Sequence, residues 1–69
     1  MNWSDIENIA LLLIETYPDD DPGSLDLADI QNRTCDLEDF DDDPRGSTEK
    51  GLERIQGAWV DLLEEEENG

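Results

Sequence analysis

Between Asp36 and Asp43, eight consecutive positions hold six carboxylates, Asp36, Glu38, Asp39, Asp41, Asp42 and Asp43, with Leu37 and Phe40 between them. Clustered carboxylate oxygens suit hard cations such as Ca²⁺, Mg²⁺, Mn²⁺ and iron. They equally suit a basic protein surface, and a solvated acidic surface is the plain alternative. Composition alone leaves all three open. The EF-hand calcium loop fails on register. Counted from Asp39, Pro44 stands where glycine is required and Lys50 at the closing ligand; counted from Asp41, Gly46 falls into place but Arg45 and Leu52 take ligand positions. What remains is an open array of oxygen ligands, weak and poorly selective. A smaller acidic cluster, Asp19 to Asp21, opens the connection DDDPGS.

Catalysis finds little support. The chain has no histidine, which removes the usual general base and the commonest imidazole ligand. Cys35 is the one cysteine, outside any CxxC motif and without an orienting base nearby in sequence, and it reads as a small, partly buried apolar residue. Paired carboxylates do acid–base work only in a shaped pocket that separates their pKa values. A chain of 69 residues has little room to build one, because a domain of that size buries only about 60% of the surface its unfolded chain exposes. No enzyme is expected.

Lys and Arg number 4 against 21 Asp and Glu, a net charge of −17 at pH 7. Phosphate contacts need clustered Lys and Arg, so nucleic acid is excluded as a partner, and an anionic membrane surface with it. Cations or a basic protein would relieve the self-repulsion. The apolar run Ile9 to Ile14 is too short to span a bilayer, and the N-terminal residues lack the basic flank of a signal peptide. With a lone cysteine, the expectation is a soluble monomer in the reducing cytoplasm.

The acidic run has to be positioned by elements around one small core. Ser4 and Glu7 have the spacing of a capping box, and Ile6, Ile9, Ala10, Leu13 and Tyr17 follow at helical period, widened by Leu12 and Ile14. Pro18 ends this helix at Thr16 or Tyr17. Pro22 and Gly23 bend the connection. Leu27, Ile30, Thr34 and Leu37 predict a second helix to about Glu38, so the run begins on its last turn. Acids there oppose the helix dipole. Arg33 is expected to pair with Asp29 or Asp36. Ser47 or Thr48 caps a third helix, whose stripe is Leu52, Ile55, Trp59 and Leu62. Gly51 and Gly57 weaken it, and Glu64 to Glu67 sit at its negative end, predicting a frayed acidic tail over 64–69. Three short helices in helix-turn-helix order make a mainly α fold within a single domain over 1–69. Leu37 and Phe40 are expected to anchor the run with its carboxylates outward.

Trp3-Ser4-Asp5, Tyr17-Pro18-Asp19 followed by Asp21-Pro22, Leu37, Phe40-Asp41-Asp42-Asp43-Pro44, Glu49 and the Leu52/Ile55/Trp59 stripe resemble the IscX family, small acidic proteins of the bacterial iron-sulfur cluster machinery. The resemblance runs from Trp3 to about Leu62. It implies a winged-helix-like domain, mostly helical, with any strands small. It also implies weak binding of Fe²⁺ by exposed carboxylates and docking on the cysteine desulfurase IscS, near the surface used by bacterial frataxin, as adaptor or regulator of cluster assembly. Other assembly components are further candidate partners. On this sequence the metal face falls on Asp36, Glu38, Asp39, Asp41, Asp42 and Asp43. The docking face falls on Glu38, Asp39, Asp42 and Asp43, with Asp19 and Asp21 contributing. The chain departs from the family at Arg33, Thr34, Thr48, Gly51 and Arg54. Two other readings stand beside this one: a divalent-cation buffer without a dedicated partner, and an acidic mimic of nucleic acid.

Overall fold

A computed structural model describes residues 1–68 of the chain. Helix α1 spans Ile6–Thr16 and buries Ile9, Ala10, Leu13 and Ile14, the stripe its spacing implies. Its entry differs from the expected capping box. Asp5 is the N-cap, and no side chain caps the helix. The Asp5 carboxylate is turned back to accept the Asn2 N–H at 3.1 Å, while Asn2 Oδ1 accepts the Ser4 N–H at 2.9 Å. The chain therefore enters α1 through a tight turn over 2–5, which frees Trp3 to pack elsewhere. At the other end the Tyr17 N–H reaches Leu13 O at 2.8 Å, and Pro18, with no N–H to give, stops the helix.

The DDDPGS connection forms a 3₁₀ turn at Pro22–Ser24, closed by Asp21 Oδ1 accepting the Gly23 N–H at 3.1 Å. Pro22 is fully buried. Gln56 of the third helix holds the turn down, its Nε2 donating to Pro22 O at 2.7 Å and Leu25 O at 2.9 Å. Helix α2 spans Leu27–Cys35, shorter than its apolar spacing suggests. The Asp36 N–H is shared between Asn32 O and Arg33 O, and the next steps, Leu37 N–H to Thr34 O and Phe40 N–H to Leu37 O, are all i to i+3 bonds. Tightening the chain this way turns both Leu37 and Phe40 into the core. Thr34 is tolerated at full burial because its Oγ1 donates to Ile30 O at 2.8 Å.

A second 3₁₀ turn, Pro44–Gly46, leads into helix α3, Glu49–Asn68. Of the two candidate caps Thr48 is the one used: its Oγ1 accepts the Gly51 N–H at 3.0 Å. Of the acidic tail expected to fray over 64–69, Gly69 and the side chains at 66–68 lie outside the described residues. Helix α3 packs along α1, with α2 and the first 3₁₀ turn laid against it, and contributes Leu52, Ile55 and Trp59 to the core. The fold is mainly helical with three α-helices, and no strand occurs among the described residues. These helices bear out the mainly α reading and do not establish the winged-helix-like arrangement that the resemblance implies.

Candidate functional site

The acidic loop after α2 is held from two sides. From below, Leu37 and Phe40 are 5% and 9% exposed, so alternation of apolar and acidic residues becomes alternation of core and solvent. From the side, the N-terminal residues run along it. The Met1 ammonium donates to Asp41 Oδ1 at 3.0 Å and Asp39 O at 3.2 Å, and Met1 O accepts the Asp41 N–H at 3.1 Å. Trp3 follows: its N–H donates to Asp42 Oδ2 at 3.3 Å and its Nε1 to Asp43 O at 2.7 Å. The indole meets the Phe40 ring edge-on, with centroids 4.6 Å apart. Gly46 lies beneath it, where an added Cβ would stand 3.3 Å from Trp3 Cδ1.

These bonds sort the six carboxylates. Asp41, Asp42 and Asp43 each have structural work: Asp41 meets the ammonium, Asp42 Oδ1 also accepts the Asp43 N–H at 2.8 Å, and Asp43 Oδ1 caps the 3₁₀ turn through the Arg45 N–H at 2.9 Å. Asp36, Glu38 and Asp39 are exposed. They line, with Leu12 and Thr16, a shallow groove of about 340 Å³. No ion pair or side-chain hydrogen bond engages their carboxylates among the described residues. Asp19 is exposed, and Asp21 serves its own turn. No hydrogen bond or ion pair joins either to the loop.

Arg33 pairs with Asp29, one of its two expected partners, and more closely with Asp20. Its Nε pairs with Asp20 Oδ2 at 2.8 Å, Asp29 Oδ1 lies at 4.0 Å, and the guanidinium sits 5.6 Å from the centroid of the Tyr17 ring. Asp20 was not singled out as a site residue; its flanking acids were. A cation four residues beyond Asp29 on a helix suggested the local pair, whereas the loop brings Asp20 in from 13 residues away.

Electrostatics follow the contacts. The hydrogen bond from the Met1 ammonium, reinforced by its charge, lowers the Asp41 pKa, and the same bond raises that of the amine. Burial, then the charges of Asp36 and Asp43, push the Cys35 thiol up, so it is kept protonated and a poor nucleophile. Among the described residues no three acid or thiol groups converge to hold a metal ion. With oxygens of Asp41, Asp42 and Asp43 already spent on amides and an ammonium, the residues present do not fit a chelated Fe²⁺ centre. They form a displayed anionic surface.

A family model described as iron-sulphur cluster assembly matches residues 1–64. A curated relative, an uncharacterized protein of Pseudomonas aeruginosa, is 39% identical over 61 residues, which cover 88% of this chain and 92% of that protein. No helix among the described residues is long and apolar enough to cross a membrane.

Proposed function

Because the chain belongs to the iron-sulphur cluster assembly family, which includes IscX, we propose that it serves that pathway as a monomeric cytoplasmic accessory protein. It docks its acidic loop on a basic patch of the cysteine desulfurase IscS, as adaptor or regulator, and has no catalytic centre of its own. The observation that carries this reading is the division of labour in the loop. Leu37, Phe40, Trp3 and three aspartates fix its shape, and the carboxylates of Asp36, Glu38 and Asp39 are exposed with no ion pair or side-chain hydrogen bond among the described residues. An ordered display of charge costs less to dock than a mobile one, and complementary charge speeds encounter while making it sensitive to salt. Fe²⁺ associates weakly with the same exposed carboxylates, so metal and desulfurase compete for them.

The test is a titration of the desulfurase with the intact chain at low and high salt. Replacing Asp36, Glu38 and Asp39 together by Asn, Gln and Asn is expected to weaken binding about tenfold or more and to flatten its salt dependence, without lowering the melting temperature. A desulfurase not retained at low salt, or a triple variant that binds like the parent, sinks the assignment. Fe²⁺ should release the bound chain at concentrations where it occupies the loop. Equal release by Ca²⁺ or Mg²⁺ would favour an unselective cation buffer.

A further inference from the structure

We propose that the outer face of α1 and α3 centred on Leu11 is a docking surface for a basic amphipathic helix of a partner protein. Leu11 is the one large apolar side chain that is exposed among the described residues, at 49%. Single exposed leucines are ordinary; this one forms the shared wall of two shallow grooves. On one side, a groove of about 310 Å³ has Ala58 and Leu62 of α3 as its apolar lining. On the other, one of about 480 Å³ has Leu12 and Met1. An apolar path therefore crosses the molecule with Leu11 standing at its middle.

The rim decides the occupant. Glu7, Asp61 and Glu65 border the first groove, and Asp5, Glu15 and Asp39 the second, with no Lys or Arg lining either. Glu7, Glu15, Asp61 and Glu65 have no ion pair or side-chain hydrogen bond among the described residues. An apolar centre inside a charged rim is the usual anatomy of a protein interface. A helix with apolar residues one turn apart can straddle Leu11, one in each groove. Its Lys and Arg stems would lie over the apolar floor with their charges at the rim. A neutral or acidic helix would instead strip water from unpaired carboxylates, and an anionic bilayer is repelled by the same rim. The face meets the acidic loop at Asp39 and shares Leu12 with the groove that Asp36 and Glu38 line, but the inference does not require the desulfurase to be its partner.

Two synthetic peptides of identical leucine and lysine composition test it, one helical with its leucines on a single face, the other scrambled. Titrated into the intact chain at about 0.15 M salt, where surface charges more than about 8 Å apart are largely screened, the segregated peptide is expected to bind at least about tenfold tighter. It should shift the methyl signals of Leu11, Leu12 and Leu62. Leu11→Ser should abolish the preference, and Glu7→Gln with Asp61→Asn should weaken the segregated peptide without lowering the melting temperature. Equal affinity for the two peptides, an undiminished preference in both variants, or shifts confined to residues 36–43 would overturn the proposal. Loss of desulfurase binding alone would overturn only the assignment above.

Discussion

Trp3 meets the acidic loop through its backbone N–H, its indole N–H and an edge-on ring contact with Phe40, and the last two can be perturbed separately. Trp3→Phe keeps an aromatic against Phe40 but removes one of the two donors to Asp43 O, leaving the Gly46 N–H at 2.8 Å, a loss of about 1 kcal/mol by the usual worth of one hydrogen bond. Gly46→Ala keeps the donor but puts a methyl 3.3 Å from Cδ1, so the ring must shift. Urea unfolding should show both variants destabilised; Trp3→Phe removes the Trp3 emission outright, whereas Gly46→Ala should keep that emission and shift it through the displaced ring. Unchanged midpoints would mean that the N-terminal segment does not order the loop. The Met1–Asp41 pair makes a pH prediction. The Asp41 pKa is lowered from its ordinary 3.8, so its stabilisation is present above that value and is lost as pH falls through the lower folded value. The amine is raised from 8.0, so its part is present below that value and is lost as pH rises through the raised one. A carboxyl titration by NMR should place the Asp41 midpoint below the ordinary aspartate range; a midpoint at or above it contradicts the contact.

The third helix carries two glycines whose surroundings separate their roles. At Gly57 an added Cβ would meet nothing within 4 Å, whereas at Gly51 it would stand 3.1 Å from the capping hydroxyl of Thr48. Gly57→Ala is therefore expected to stabilise the protein by about 0.5–1 kcal/mol, the entropic handicap of glycine in a helix. Gly51→Ala should gain little, because it disturbs a cap worth about 1 kcal/mol. Urea midpoints at constant slope would show the difference, and equal gains would mean that the Thr48 cap contributes nothing. Both glycines were visible in the sequence as weak points, but not which was needed, since that depends on where the Thr48 hydroxyl turns. The same limit runs through the other elements. The stripe of α1 and the stop at Pro18 were legible because period and proline act locally. The end of α2 was not, because Leu37 and Phe40, three apart, satisfy a helix and a pair of tight turns equally. All six carboxylates of the candidate site could be picked out from composition. Asp43 is occupied locally, by the Arg45 N–H, but the engagement of Asp41 and of Asp42 Oδ2 depends on residues 1–3 lying alongside, a long-range pairing that leaves no periodic trace. The Asp20–Arg33 pair and the Gln56 clamp were hidden for the same reason.

At the scale of the molecule, −17 charges are carried on a body 34 × 21 × 18 Å, and the ion pairs among the described residues are one Arg33 network and one terminal ammonium. At about 0.01 M salt the Debye length is about 30 Å, comparable with the long axis, so nearly every carboxylate feels every other. At about 0.15 M it falls to about 8 Å, and only neighbours within a turn or loop still interact. Screening thus removes the many long repulsions before it weakens contacts as short as the 2.8 Å Arg33–Asp20 pair. Total stability for a chain of this length is roughly 3–10 kcal/mol, so relief of self-repulsion is a visible fraction of it. The melting temperature should therefore rise by several degrees between these salt concentrations in sodium chloride, and Arg33→Gln should melt lower than the parent at both. A melting temperature that falls with salt would mean that the ion pairs outweigh the repulsion. The same screening acts oppositely on docking, since a basic partner is drawn by the very field that destabilises the free chain. Salt should consequently stabilise the isolated protein while weakening the docking proposed above, a pairing of opposite signs that a purely apolar interface would not produce.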